Sequence, residues 1–123
     1  MTNKEIERKA IEKVIEYEGN HGRKKAEEVH GKGYDIISSG RCIEVKGVGG
    51  KAGGWRMFEH TCFEALQKEK KYFVYIVENL KTDAPELYII PRSDIIRHLK
   101  LRIVWQINLP AKEMRNKWKK NFK

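Results

Sequence analysis

The chain has 123 residues, of which 40% are hydrophobic and 35% charged. This length and composition predict a single domain over residues 1–123 with one modest core. No apolar run is long enough to span a membrane. The 26 lysines and arginines outnumber the 17 acidic residues and leave a net charge of +9. Such a charge favours a polyanionic partner, nucleic acid being the commonest and an anionic membrane surface the alternative.

The cysteine pattern and the first residues indicate a compartment. Cys42 and Cys62 are the only cysteines, and they lack the CxxC spacing of a zinc or redox site. Reduced core thiols are therefore the simpler assignment. Because no signal-peptide pattern opens the chain, we expect a cytoplasmic protein.

The first predicted element is an amphipathic helix over residues 3–18, capped by Thr2 or Asn3. Glu18 projects from its apolar face, whereas Glu16 points the opposite way. A carboxylate on a buried stripe needs a partner, because an unpaired buried charge is costly. Glu18 therefore either meets a partner in the interior or reaches water from the fraying last turn.

Residues 21–32 are basic and interrupted by glycines. This composition predicts a connecting loop, with a short helical turn at residues 25–29. His30 has no second histidine or cysteine at a metal-binding spacing, so we assign it to the loop.

A β-hairpin is predicted next, because two β-branched and apolar runs, residues 34–37 and 42–45, flank a polar turn. Pairing across that turn places Asp35 directly opposite Glu44, since paired positions in an antiparallel ladder keep a constant index sum. Lys46 lies two residues beyond Glu44 and shares its face. Like charges at opposed positions are destabilising, so something must compensate.

Two arrangements would compensate the facing carboxylates of Asp35 and Glu44. A divalent cation between them would remove the repulsion, since Mg²⁺ is commonly held by one or two carboxylates together with water and phosphate oxygens. Alternatively, the face is solvated and Lys46 alone neutralises part of the charge. The three-residue arrangement favours the metal site.

Residues 47–54 include five glycines but no Gly-Lys-Ser/Thr sequence at the spacing of a phosphate-binding Walker loop. A flexible connection is the default prediction. Its place after the charged strand suggests a mobile flap that brings Lys51 and backbone N–H groups to a phosphate. Residues 55–59 alternate as a third strand.

Further elements follow the third strand. Thr61 and Glu64 form a capping box that opens a helix over about residues 62–70, which gives Glu64 a structural role. A continuous apolar run then predicts a strand buried on both faces. The remaining predicted segments are that strand at residues 72–77, a strand at 87–90, a Ser93-capped helix at 94–99, an apolar strand-like run at 102–107 and a helix opened by Pro110.

The final segment, residues 112–123, has six lysines and arginines against one glutamate. Met114, Trp118 and Phe122 recur every four residues, and we expect this stripe to dock the helix on the core rather than to stack on bases. The cationic side would then contact phosphates or act as a solubilising tail.

The charged hairpin also resembles a known family. Asp35, eight intervening residues and then Glu44-Val45-Lys46 resemble the signature of the PD-(D/E)XK nuclease superfamily. The longer pattern, residues 33–36 and 41–47, is similar to the nuclease-like C-terminal domain of the plant NO VEIN protein and of microbial helicase-associated proteins. One departure is Tyr34, which precedes Asp35 where a proline often stands.

The resemblance implies a restriction-endonuclease-like α/β fold. Its core has a helix, three strands, a helix and a strand, forming a mixed sheet flanked by helices. The order of elements predicted here matches that core, and a C-terminal strand and helix would form an extension.

The resemblance further implies a metal-dependent DNA endonuclease. Asp35 and Glu44 would hold one or two Mg²⁺ or Mn²⁺ ions, together with the main-chain carbonyl of Val45. Related nucleases often add an acid from the first helix, for which Glu18 is the first choice. Lys46 would orient the attacking water and stabilise the transition state. Contacts to the nucleic acid outside the site would come from Lys51, Arg56, Arg115, Lys117, Lys119 and Lys120.

Two other functions stay open at this stage. The fold can serve as a nucleic-acid-binding module without turnover, or as a partner subunit of a helicase or restriction complex. The intact acid, acid, lysine set argues against a pure binding module. The sequence does not distinguish DNA from RNA, nor a monomer from a homodimer that cuts both strands.

Overall fold

The computed structural model describes residues 1–53, 58–102 and 105–121 and has an α/β architecture. None of the helices in these ranges is long and apolar enough to cross a bilayer. The elements in chain order are α1 (Asn3–Asn20), β1 (Glu27–Glu28), β2 (Ile36–Ser38), β3 (Arg41–Gly47), α2 (His60–Lys68), β4 (Tyr72–Glu78), β5 (Glu86–Pro91), α3 (Arg92–His98) and α4 (Ala111–Glu113), the last continued by a π-helical turn, Met114–Trp118.

Within the described residues, five strands form one mixed sheet in the order β1-β2-β3-β4-β5. Only β3 and β4 pair in parallel, and the other neighbours are antiparallel. Helix α2 lies between β3 and β4 in the chain, which gives the long crossover that a parallel pair requires. The predicted mixed sheet flanked by helices is confirmed.

Two apolar clusters lie on opposite faces of this sheet. On one face, α1 contributes Ile11 and Val14, which pack with Ile43 and Val45 of β3. On the other face, Leu66 of α2 and Ile95 of α3 pack with Cys42, Tyr72 and Val74. Because side chains alternate along a strand, Glu44 and Lys46 share the α2 face with Cys42.

The hairpin has the predicted register, with Ile36 opposite Ile43 and Ile37 opposite Cys42. Ser39 and Gly40 form its turn with φ of 48° and 78°. Two consecutive residues with positive φ make the tight turn that matches the twist of the strands it joins. Asp35 lies just before β2, so the predicted pairing of Asp35 with Glu44 is not part of the ladder. The Asp35 N–H instead donates to the carbonyl of Ile43 at 2.8 Å.

The helical turn predicted at residues 25–29 is wrong. Glu27 and Glu28 instead form the edge strand β1, pairing with Ile37 and Ile36. The Glu28 carboxylate also binds the guanidinium of Arg8 on α1. This two-residue strand is decided by a neighbouring strand and a helix, which no local pattern in a basic, glycine-interrupted segment reveals.

Thr2 caps α1 as predicted, accepting a hydrogen bond from the Glu5 N–H, but the caps predicted for α2 and α3 are wrong. Helix α2 begins at His60, so Thr61 lies inside it, and the Glu64 carboxylate pairs with His60 Nε2 at 2.8 Å. Helix α3 begins at Arg92 directly after β5, so Ser93 is already helical. In both cases the preceding chain enters the helix earlier than the capping pattern indicates.

The glycine-rich segment after β3 is held by backbone hydrogen bonds to the end of β4 and the turn that follows it. The Val48 N–H donates to Val77, and residues 79–81 donate back to residues 48–50. The Ala52 N–H also donates to Glu78 Oε2 at 2.8 Å. The mobile flap predicted for this segment is therefore wrong for residues 48–52, because β4 and the turn after it hold the backbone.

The third predicted strand, residues 55–59, falls largely outside the described residues, and residues 58–59 have no strand structure. The run at 102–107 includes two residues outside the described ranges, and residues 105–107 are irregular. The docked stripe is also not found, because Met114 and Trp118 are 46% and 49% exposed. Phe122 lies outside the described residues.

Candidate functional site

The charged face of β3 is built around Glu44 and Lys46. Glu44 is only 7% exposed, although its side chain is a carboxyl group, and its Oε2 lies 3.0 Å from Lys46 Nζ. The alternation of β3 buries Ile43 and Val45 under α1 and turns these two charges toward α2. A carboxylate held in such a place needs favourable neighbours, since burial disfavours its ionised form.

Asp35 reaches this pair from the opposite arm of the hairpin. Its Oδ2 accepts a hydrogen bond from the Val45 N–H at 2.8 Å. Together with the bond from its own N–H to Ile43, this contact fastens Asp35 across β3. Its side chain interacts with the Glu44 carboxyl. The structure thus brings Asp35, Glu44 and Lys46 together.

The two carboxyl groups of the cluster repel each other when both are ionised. Burial and the negative charge of Asp35 raise the pKa of Glu44 to about 7, and the Lys46 ammonium offsets this only in part. Burial alone would lower the pKa of Lys46, but the Glu44 carboxylate raises it. Lys46 therefore stays protonated at neutral pH, while Glu44 is poised between its two forms.

Sequence reasoning missed the residues that hold Asp35 in place. The Tyr72 hydroxyl donates to the Gly33 carbonyl at 2.6 Å, two residues before Asp35. Gly33 has a φ of 84°, and a Cβ added there would lie 2.2 Å from the Thr61 carbonyl oxygen of α2. Gly33 stood in the family-like pattern, but Tyr72 lies in an apolar run that carries no such signal.

Cys62 of α2 is a second neighbour that the sequence did not reveal. Its thiol is buried and interacts with Glu44 and Tyr72. Burial, followed by the Glu44 charge, raises the pKa of the Cys62 thiol. The neutral thiol thus lies beside Glu44 in the cluster. Cys62 is a buried free cysteine, as predicted.

Glu18 is the one predicted site acid that the structure keeps away from this cluster. It is fully buried on the α1 face of the sheet, where Arg23 binds both carboxylate oxygens at 2.7 and 2.8 Å. The Tyr75 hydroxyl donates to Oε2 at 2.9 Å, and Arg41 Nε lies 3.3 Å from Oε1. Burial alone would raise the pKa of Glu18, but the hydrogen bonds from Arg23 and Tyr75 lower it.

The buried Glu18 carboxylate therefore has the charged partner that its burial requires. The partner is a pair of arginines, Arg23 and Arg41. The predicted assistance of Glu18 at the Asp35 site does not agree with this placement. Glu16, the second choice, is exposed on α1.

Comparison with known families places this chain. The family model described as "Protein NO VEIN, C-terminal" matches residues 6–90. The chain belongs to this family. No curated protein and no solved structure matches it significantly. The resemblance to the NO VEIN domain is thus confirmed, while membership of the nuclease superfamily stays a prediction.

The NO VEIN C-terminal match runs from within α1 nearly to the end of β5. It includes the charged cluster of Asp35, Glu44 and Lys46 and the Gly33–Tyr72 contact beside it. Residues 91–123 lie beyond the match, so the basic end of the chain is an addition to the part that the family model covers.

The donor set of this NO VEIN-type domain fits a hard divalent cation in part. Within residues 1–53, 58–102 and 105–121, no three histidine, cysteine, aspartate or glutamate side chains form a group that could hold a metal ion. Asp35 and Glu44 supply two carboxylates, which suits Mg²⁺ because that ion usually keeps several waters and takes substrate phosphates. A ligand role for the Val45 carbonyl stays a prediction.

The residues predicted to contact nucleic acid are spread over the molecule. Lys51 is exposed and lies next to Ala52, whose N–H donates to Glu78. Arg56 lies outside the described residues. The other four are exposed in and after the π-helical turn: Arg115, Lys117, Lys119 and Lys120.

Proposed function

We propose that this chain is a metal-dependent endonuclease that hydrolyses phosphodiester bonds in DNA, of the PD-(D/E)XK type. One observation carries the proposal: Asp35, Glu44 and Lys46 lie together at β3, where the buried Glu44 carboxyl pairs with Lys46 and interacts with Asp35. Two acids and a lysine can together hold a divalent cation, orient a water and neutralise charge on a phosphodiester.

Asp35 and Glu44 would hold Mg²⁺ or Mn²⁺. When bound, the ion supplies a water of lowered pKa and neutralises charge on the scissile phosphate. The electrostatics of the two carboxyl groups support this assignment. Burial and then the Asp35 charge raise the pKa of Glu44, and a bound cation would favour its ionised form.

Lys46 supplies a fixed positive charge beside the reacting phosphate. The Glu44 carboxylate, 3.0 Å away, holds its ammonium group on the α2 face. A cation fixed in this way stabilises negative charge that develops in the transition state, and its N–H groups orient a water for attack. A pure binding surface has no need for two neighbouring acids at this point, one of them, Glu44, buried.

The test is a cleavage assay of the purified protein on linear, supercoiled and branched DNA, with RNA in parallel, in Mg²⁺ or Mn²⁺. Asp35→Asn keeps an oxygen that can accept the Val45 N–H, and Lys46→Met keeps the length of the side chain. We expect each to reduce cleavage by at least about 100-fold while nucleic-acid binding is retained.

Glu16→Gln is the matched control, because Glu16 is an exposed acid on α1. Glu18→Gln tests whether Glu18 acts in the ion pair with Arg23 or at the metal site. If it acts in the ion pair, the variant should lose about 3 kcal/mol in the free energy of unfolding, since a buried ion pair is broken, yet the folded variant should still cleave. A wild-type protein that binds DNA with a steep salt dependence but cuts no substrate would instead be a non-catalytic binding module.

A further inference from the structure

The C-terminal segment, residues 105–121, is exposed along its whole length. Six of the eleven large hydrophobic side chains exposed in the described part of the chain lie between residues 101 and 118. Among them, Leu101 is 90% and Trp105 is 94% exposed. Exposed apolar side chains concentrated in one segment mark an interaction site rather than ordinary surface.

Positive charge accompanies the apolar side chains in the second half of this segment. Leu109, Met114 and Trp118 line a cleft of about 620 Å³, and Arg115 and Lys119 complete its lining. Residues 111–121 contain five lysines and arginines against one glutamate. The cleft is thus lined by apolar side chains, including the Trp118 indole ring, together with positively charged side chains.

We propose that this segment is a binding surface for single-stranded nucleic acid, on which Trp105 and Trp118 stack with unpaired bases. Aromatic side chains within a positively charged groove are the usual means of holding unpaired strands, since every base has a face that can stack. A duplex offers the same phosphates but keeps its bases inside, so it would leave both indole rings uncovered.

Charge complementarity selects this occupant over a second copy of the chain. Two such segments would bring like charges together, whereas a nucleic-acid strand offers one phosphate for each base. An anionic membrane also offers negative charge, and binding to phosphatidylserine vesicles distinguishes it from a nucleic-acid strand. The proposal rests on the proposed function only in naming the substrate class, and binding is measured independently of cleavage.

The test is binding of a fluorescein-labelled dT20 oligonucleotide in EDTA, where metal-dependent cleavage cannot proceed. We expect dT20 to bind at least tenfold more tightly than a duplex of equal length. Trp105→Ala and Trp118→Ala should each weaken dT20 binding by roughly 5- to 100-fold, the range of one lost base-stacking contact. Trp118→Phe should restore most of the affinity.

Phe63→Ala is the matched control, because Phe63 is an exposed aromatic residue on α2, outside the segment. Unchanged dT20 binding in both tryptophan variants would overturn the proposal, as would equal affinity for duplex. Tight binding to phosphatidylserine vesicles without binding to dT20 would overturn it in favour of a membrane surface. A dimer that the tryptophan variants dissociate would overturn it in favour of self-association.

The outcomes also separate this proposal from the nuclease proposal. Loss of dT20 binding in the tryptophan variants with no cleavage by any form of the protein supports the binding surface and removes the nuclease. Metal-dependent cleavage that the tryptophan variants leave unchanged, together with unchanged dT20 binding, does the reverse.

Discussion

At the scale of single residues, two buried glutamates have opposite environments. Glu18 receives hydrogen bonds from Arg23 and Tyr75, and its pKa is lowered despite burial. Glu44 faces Asp35, and its pKa is raised to about 7 because one lysine does not outweigh burial and a like charge. Ionised Glu18 therefore stabilises the folded state, whereas ionised Glu44 destabilises it, and a bound cation would remove that destabilisation.

Glu44 predicts a distinctive dependence of stability on pH. Its folded pKa of about 7 exceeds the ordinary value of 4.5, so the folded state binds a proton that the unfolded state releases between these pH values. The free energy of unfolding should therefore fall by about 2–3 kcal/mol from this group as pH rises from 4.5 to above 7. Urea denaturation at several pH values measures it.

Glu44→Gln should flatten that pH dependence, and Glu16→Gln should leave it as in wild type. Mg²⁺ should raise the melting temperature of the wild-type protein most strongly above pH 7, and should not do so in Glu44→Gln. Equal pH slopes in wild type and Glu44→Gln would show that this carboxyl does not carry the raised pKa.

At the scale of elements, the site depends on how closely the entry to β2 approaches α2. The Gly33 backbone lies against the Thr61 carbonyl, and the Tyr72 hydroxyl of β4 holds the Gly33 carbonyl. These contacts fix the backbone two residues before Asp35. Three elements that are distant in sequence thus determine where this carboxylate lies.

Gly33→Ala should disturb both stability and the site. The new methyl group would lie 2.2 Å from the Thr61 carbonyl oxygen, at a φ of 84° that disfavours any residue but glycine. We expect a loss of about 2–4 kcal/mol in the free energy of unfolding, measured by urea denaturation.

Gly40→Ala is the control for Gly33→Ala, because Gly40 also has positive φ but has open space around it. It should cost only about 1 kcal/mol, the penalty of the backbone conformation alone. Equal losses in the two variants would show that the contact with α2 does not matter.

At the scale of the whole molecule, positive charge and family-specific structure are separated along the chain. The region matched by the NO VEIN C-terminal model, residues 6–90, contains the charged cluster. The basic and exposed segment follows it. A cleavage site and a strand-holding surface would then be distinct parts of one chain.

This separation predicts how nucleic-acid binding responds to salt. A combined Lys117→Gln, Lys119→Gln and Lys120→Gln variant should lower dT20 affinity and reduce the slope of log affinity against log salt by roughly 2, since each phosphate contact on a single strand contributes about 0.7. Fluorescence anisotropy in EDTA between 50 and 300 mM salt measures the slope.

Lys4→Gln combined with Lys13→Gln is the matched control, because both lysines are exposed on α1 and far from the segment in sequence. It should leave the slope unchanged. A reduction about two-thirds as large in this two-lysine control as in the three-lysine variant would mean that net charge, rather than the C-terminal segment, governs binding.

The hairpin could be predicted from sequence because its determinants are local. Side chains alternate with a period of two, and a tight turn sets the register, so the pairing of Ile36 with Ile43 and the shared face of Glu44 and Lys46 follow from counting residues. The position of the Asp35 carboxylate depends in addition on the contacts of Gly33 with α2 and β4. Helix α1 and strand β4 could be predicted for the same reason, since each carries its own apolar periodicity. Their boundaries differ from the predictions by only one or two residues.

Only the tertiary structure decided what the charged and polar residues outside that hairpin contact. Glu18 meets Tyr75 across a separation of 57 residues, and β1 exists because β2 offers it an edge. The apolar stripe of the last helix fits a docked helix, yet whether it docks depends on a complementary surface elsewhere. Periodicity reports which side of an element is apolar, but a partner is selected by packing and charge across the whole molecule, and local sequence does not encode that choice.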